Sequence, residues 1–318
     1  MISTPYRWLI FLCLFLVSLD SFAESPFVDQ TAIQLIALYQ KNSLQQRVVH
    51  YSAGLLGSPY QLGALGEGPA GKYDKNPLYR FDYFDCETYL DTVMAMALAK
   101  NFIDFKERIN HIRYRQGQIA FIQRNHFPSA DWIPNNKRNG YIRELTYTIA
   151  GQKTKITTTL INRRNWYQHF TTNSIQIPYL STPEKSILLA QLKKEGQKFP
   201  NEEVSIAYIP LAELLQNSQL ERKIPTGSII FFVGDNNHLT SQIGTQMNVF
   251  HMGFAIWKNG QLYFRMASSR ERRVIDAPFQ DYLKTYLTLD ILKGISVWAV
   301  TNQKVLRMHD DVRGVPFS

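Results

Sequence analysis

Cysteine is nearly absent from this chain: there are two, Cys13 and Cys86. Cys13 sits inside an apolar N-terminal run. Once that run is removed Cys86 stands alone, and no internal disulfide can form. Long hydrophobic runs are scarce as well. Beyond the first, no segment approaches the roughly 18 to 20 apolar residues of a membrane-spanning helix, so no stable membrane span is expected. His, Asp and Glu never cluster at metal-ligand spacing, and neither a metal nor another cofactor is implied. Repeats and low-complexity segments are lacking. Acidic charge is in deficit, with 26 Asp and Glu against 35 Lys and Arg and a net charge of +9.

What is present begins with a leader. Arg7, the apolar run from Trp8 to Leu19 and Ser21-Phe22-Ala23 form the basic, apolar and small-x-small regions of a secretory signal peptide cut after Ala23. The expectation is a signal peptide over 1–23 and a single domain over 24–318, periplasmic or secreted. Cys13 is too far from the cleavage site to be a lipoprotein cysteine. Arg7 and Asp20 leave together, so the net charge of +9 survives processing. An exported basic protein suits an anionic partner, cell-wall polymer or lipid headgroups rather than nucleic acid. A generally solvated surface explains the same charge equally well. In an oxidising compartment a lone thiol is a liability unless it is buried or used, which directs attention to Cys86.

Cys86 opens a helical pattern. Cys86, Leu90, Val93, Met94, Ala97 and Leu98 recur at helical spacing, Asp85 is a good N-cap and Glu87 adds a carboxylate to the first turn. A thiol at a helix N-terminus sees the positive end of the dipole and unpaired N–H groups, and both favour the thiolate. The bland alternative is a small buried hydrophobe. Before it, 29–51 reads as one or two helices and 54–71 as an ordered Gly/Pro-rich loop. After it, 102–108 continues as a short helix, the first part of 109–122 reads as a strand, 125–139 as a polar loop and 141–150 as a strand. The polar stretch 153–201, with a helix from Pro183 to Lys194, reads as an insertion or cap. From Val204 the pattern turns to β: a strand at 205–209, a short helix at 211–216, a buried strand at 227–233 and a loop at 236–246. Two runs, 250–257 and 262–266, flank Asn259-Gly260, a strong hairpin signal. A helix after Pro278 and a last strand at 295–300 complete an α+β pattern.

A cysteine nucleophile needs a base, and the base needs a third group to orient it. Of seven histidines, His251 differs from the rest by starting a strong strand and standing two residues before Gly253, where another element can approach closely. A histidine at the end of a strand with no chemical role fits the same pattern. Helix-borne Asp85-Cys86 followed by a late His251-Met252-Gly253-Phe254 strand and hairpin resembles the papain-like cysteine hydrolases of the NlpC superfamily. More narrowly, Leu55-Leu56-Gly57-Ser58-Pro59-Tyr60, Phe84-Asp85-Cys86-Glu87-Thr88, Asp131-Trp132-Ile133, Gly227-Ser228-Ile229-Ile230, His251-Met252-Gly253-Phe254, Ala267-Ser268-Ser269 and Asp281-Tyr282-Leu283 resemble, in order, the domain-of-unknown-function family 1460. The characterised members of that family are N-acetylmuramoyl-L-alanine amidases.

The resemblance implies a papain-like α+β core, with a Cys-bearing helix packed on an antiparallel sheet, and a monomeric hydrolase of peptidoglycan or muropeptides. Cys86 and His251 would be catalytic, with the Cys86 N–H facing the oxyanion. Tyr60 either lines the site or packs in the core, and Asp85 contacts substrate or caps the helix. Trp132 stacks on a sugar or packs in its loop. One departure stands out. Where the superfamily places a third polar residue, this chain has Met266, whose thioether cannot accept a strong hydrogen bond. Asn248, Ser268 and Arg265 are the candidates to orient His251, and Arg265 and Ser268 are counted with the substrate-binding set. Three rival readings use the same residues: a D-Glu/diamino-acid endopeptidase of the same polymer, a catalytically silent cell-wall binding protein, and an acyltransferase.

Overall fold

The computed structural model describes residues 26–235, 237–289 and 291–303; the signal-peptide expectation over 1–23 lies outside them. The centre is an antiparallel sheet of eight strands. These are β1 (Ile142–Glu144), β2 (Lys155–Ile161), β3 (Glu202–Pro210), β4 (Ile229–Gly234), β5 (Val249–Lys258), β6 (Gln261–Ser268), β7 (Arg273–Pro278) and β8 (Leu292–Val300). The order across the sheet is β2-β3-β8-β4-β5-β6-β7, and β1 pairs with β8. β5 and β6 form the hairpin that Asn259-Gly260 predicts. Both turn residues take positive φ, 49° and 78°, as a two-residue turn matched to strand twist requires.

Successive side chains along a strand point to opposite faces, so the sheet has two cores. On one face Phe231, Val233, Met252, Phe254 and Ile256 pack with four N-terminal helices, α1 (Pro26–Leu38), α2 (Leu44–Gly54), α3 (Cys86–Leu98) and α4 (Phe102–Arg113). On the other, Ile230, Phe232, Ala255, Phe264 and Met266 pack with the helices Leu211–Gln216 and Phe279–Lys284. From Thr88 to Leu98 every residue of α3 is buried, the pattern of a helix walled in on all sides. Among the described residues no helix is long and apolar enough to cross a membrane.

Several boundaries differ from the sequence expectation, each for a local reason. The strand expected in 109–122 is instead the end of α4, because Phe105, Ile109 and Ile112 share one buried helical face. The loop expected at 125–139 is helical, with a wide turn at Pro128–Trp132 and a helix at Ile133–Arg138. There Asn136 donates to the Trp132 carbonyl and Asn135 to that of His111, fastening the segment to α4. The strand expected at 141–150 is three residues long before a helical turn at Thr146–Ala150. Residues 237–243 form a helix where a loop was expected. In the 153–201 stretch, β2 adds an edge strand along β3. The helix Thr182–Gly196 is capped by Ser181 through a box with Glu184, and its Leu192 joins a small core with Tyr73 and Phe121.

Candidate active site

Cys86 is the first residue of α3. Asp85 caps that helix with one carboxylate oxygen accepting from the Thr88 N–H at 2.8 Å, while the Thr88 hydroxyl accepts from the Asp85 N–H at 2.9 Å. The other Asp85 oxygen takes the Gly63 N–H at 2.9 Å. Both oxygens are therefore committed to main chain, and the capping role of Asp85 is the one its contacts support. An N-cap of this kind stabilises a helix by about 1 kcal/mol. The Cys86 N–H, at the first helical position, has no acceptor within the helix.

The helix delivers Cys86, partly buried, to the backbone of β5. Its Sγ lies near the N–H groups of Glu87 and Met252, whose dipoles favour the charged form of the sulfur. The β5–β6 ladder ends at the pair Phe254–Arg265, so the sulfur meets β5 just where its pairing with β6 stops. Gly253 makes this geometry possible. A Cβ there would lie 2.4 Å from the Arg265 carbonyl oxygen and 3.0 Å from the Met266 Cβ. The element that approaches Gly253 is thus β6 itself.

His251 precedes the residue whose N–H lies near Sγ, but its side chain lies on the opposite face of the sheet from α3. Its ring packs 5.9 Å from Phe232, 5.4 Å from Phe264 and 6.2 Å from Tyr282, between ring centroids. Among the described residues neither ring nitrogen makes a hydrogen bond. Packing, not a polar partner, holds the imidazole. The three candidate orienting groups are engaged elsewhere. Asn248 accepts from Ser129 and donates to the Val204 carbonyl, and the Ser268 hydroxyl accepts the Glu271 N–H at 3.1 Å. Arg265 is buried on the helix side of the sheet, paired with Asp276 and donating to the Val49 carbonyl and Ser52 hydroxyl of α2. Its place in the substrate-binding set is corrected by that geometry, since every arm of the guanidinium is taken by structure. Met266 is fully buried across from Gly253.

A cavity of about 450 Å³ opens beside His251, walled by Phe250, Ile275, Tyr282 and Tyr286, with Ser268 and Arg270 at its lip. Tyr282 and Tyr286 hydrogen-bond each other at 3.2 Å between hydroxyls, and the Cys86 sulfur lies close enough to act on both. Tyr60 also feels it, and burial together with Cys86 pushes its hydroxyl up to about 12. Tyr60 is held there by short pairings, its N–H to the Arg272 carbonyl and the Gln61 N–H to the Phe84 carbonyl, each 2.9 Å. Cys86, Tyr60, Tyr282, Tyr286 and the His251 strand thus share one locality. Trp132 does not. It is fully buried, its indole N–H donates to Asp91 Oδ1 at 2.7 Å and its ring packs on Phe231. It is a core residue and cannot offer a face to a sugar. Tyr282 and Tyr286 line the cavity; the sequence singles out Tyr282 only within the segment Asp281-Tyr282-Leu283 and gives neither a role, and their i, i+4 spacing after Pro278 is the available signal.

The electrostatics correct one expectation. Burial pushes the Cys86 thiol up, Asp85 and Glu87 push the same way, and the two N–H groups only partly oppose them. Burial pulls the His251 imidazole down to about 4. The resting pair is a neutral thiol and a neutral imidazole rather than a preformed thiolate, because the dipole advantage of the first turn is outweighed by desolvation and two carboxyl groups. Below Cys86 on α3, Glu87 is also raised, by burial, Asp91 and Asp85 in turn.

This site lies in a chain that belongs to the N-acetylmuramoyl-L-alanine amidase-like (AmiA-like) family, whose model matches residues 50–289. A Legionella pneumophila protein of the domain-of-unknown-function family 1460 is 35% identical, with a TM-score of 0.82 over 86% of this chain and 94% of that one. An N-acetylmuramoyl-L-alanine amidase from Bacteroides uniformis is 23% identical, with a TM-score of 0.57 over 80% of this chain and 98% of that one, a likeness of fold. No protein with a curated description matches.

Proposed function

We propose that the protein is a cysteine amidase of bacterial peptidoglycan fragments, cutting the amide between the lactyl group of N-acetylmuramic acid and L-alanine. The observation that carries this reading is Cys86 at the start of α3, packed in the core that holds Met252 of β5, next in sequence to His251, whose ring lines a cavity. The chain's membership of an amidase-like family supports the bond and the substrate class. The helix-borne cysteine on an antiparallel sheet is consistent with a papain-like core of the NlpC type.

In this mechanism the Cys86 S–H bond gives its proton to neutral His251 as the sulfur attacks the lactyl carbonyl carbon. The oxyanion that forms lies within reach of the Cys86 N–H at the start of α3. The C–N bond then breaks while the imidazolium protonates the leaving alanine nitrogen. Water, giving a proton to His251, attacks the thioester, and the lactyl carboxylate and the Cys86 thiol are restored. Burial leaves His251 unprotonated at neutral pH, with a ring nitrogen open to that proton, and makes it a weaker base than a solvated imidazole, so substrate binding has to offset part of its desolvation. In the same reading residues 1–23 are a signal peptide, 153–201 cap the core, and a monomer works in the periplasm or outside the cell.

The test is mass spectrometry of defined muropeptides incubated with the mature protein and with Cys86→Ala. Release of intact peptide and free sugar by the wild type alone is expected. Products cut between D-Glu and the diamino acid would replace this reading by the endopeptidase one. Turnover by protein whose Cys86 is fully alkylated with iodoacetamide would end the mechanism.

A further inference from the structure

His251 decides which half of the substrate enters the cavity. On the amidase reading, on which this inference rests, the imidazole hands its proton to the leaving nitrogen, so the leaving peptide must lie over His251. The cavity of about 450 Å³ beside that ring is then the leaving-peptide side. Its walls are mainly apolar and aromatic, with the Thr285 hydroxyl among them, and its charged groups, Arg270 and Glu271, stand in the turn between β6 and β7.

Arg270 stands out there. Its side chain is 81% exposed, and its ion-pair contact, with neighbouring Glu271, is 3.8 Å long and itself exposed, too long for a hydrogen bond. The Tyr282 hydroxyl, on the cavity wall, feels the Arg270 charge, so the guanidinium stands close to the space the peptide would fill. Arg265, inside β6, is by contrast locked to Asp276 and α2. A planar guanidinium with free donors at the mouth of an apolar cavity matches a carboxylate bidentately.

We propose that Arg270 is a specificity-determining residue that binds the free carboxylate of the second residue of an acidic leaving peptide. The peptide's first residue fills the apolar cavity against Tyr282 and Tyr286, and the carboxylate reaches the lip.

Two synthetic muramoyl peptides test this. They are identical except that the second residue carries a carboxylate in one and a carboxamide in the other. The wild type should prefer the acid by roughly ten- to a hundredfold in kcat/KM, the range of a charge-assisted pair, with the difference in KM rather than kcat. Arg270→Gln should erase the preference, and Arg270→Lys should retain part of it. Arg270 is exposed, so neither variant threatens folding, and unchanged thermal unfolding checks this. Cleavage of both substrates by Arg270→Gln with the wild-type acid-to-amide ratio overturns the assignment of Arg270 while leaving the amidase reading intact. Cleavage of neither substrate by the wild type overturns the amidase reading and the subsite with it.

Discussion

On the α3 side of the sheet, Cys86 is placed by directional bonds in its helix cap, the reciprocal pair between Asp85 and Thr88. On the other side, His251 is placed by shape alone, between Phe232, Phe264 and Tyr282. Cys86 packs on β5 from the α3 face, and the His251 ring stands on the opposite face of the same strand. The difference separates two ways of placing a polar side chain. A capped helix sets Cys86 by backbone register but surrounds it with carboxyl groups that hold its proton on. Ring packing sets His251, and desolvation keeps it neutral.

The largest effect expected from breaking this arrangement is at His251. His251→Ala should lower kcat by about 10²- to 10⁴-fold, the range for a lost general acid–base. Because the groups that set the proton affinity of Cys86 are Asp85, Glu87 and Met252 rather than His251, alkylation of Cys86 by iodoacetamide in the variant should follow the same pH curve as in the wild type. Thiol chemistry that collapsed along with turnover would mean that His251 holds the proton of Cys86 in the resting enzyme, contrary to the geometry.

A smaller effect separates core from site on the helix side. Trp132→Phe keeps most of the ring packing on Phe231 but leaves Asp91 Oδ1 without its 2.7 Å donor. The fold should lose roughly 1–3 kcal/mol, the cost of a buried acceptor left unsatisfied, as read by denaturant unfolding. KM for a muropeptide should not change. A raised KM with unchanged stability would restore Trp132 as a sugar platform.

These cases show what the sequence could and could not convey. The Cys86 helix, its Asp85 cap and the Asn259-Gly260 hairpin were legible because each depends on neighbours in the chain: cap chemistry, helical spacing, a turn needing two positive φ values. The roles of Trp132 and Arg265 were not, because partners far apart in sequence decide them. Asp91 lies 41 residues from Trp132, and Ser52 lies 213 from Arg265. The same holds for the thiol. Its position at a helix N-terminus was readable, but burial and the packing of Asp85 and Glu87 around it set its proton affinity. The strand expected in the first part of 109–122 fails for a related reason: the helical spacing of Phe105, Ile109 and Ile112 runs through the same residues, and burial of that face chose the helix.

The smallest effect expected concerns pH and two arginine–carboxylate pairs. Burial raises Asp276, but Arg265 and Lys258 outweigh it and hold its carboxyl below the usual range. Asp91 shows the opposite balance. Burial lifts it to about 7, with Arg113 and the Trp132 N–H pulling back. Arg113 Nε is 3.7 Å from Oδ2, and that oxygen has no hydrogen-bond partner. From about pH 4, where an unfolded aspartate ionises, to about pH 7, the folded chain holds a proton at Asp91 that the unfolded chain releases. By linkage this site's contribution is fully present below that window and is lost as pH rises through about 7; that of Asp276 is lost as pH falls through its lowered value. Asp91→Asn keeps an oxygen for Trp132 and removes the titration. Its Tm between pH 5 and pH 8 should therefore fall less steeply than that of the wild type. Parallel curves would mean that Asp91 is already ionised across that range, so that a buried negative charge sits on the helix beneath Cys86 and the thiol's proton is held on more firmly still.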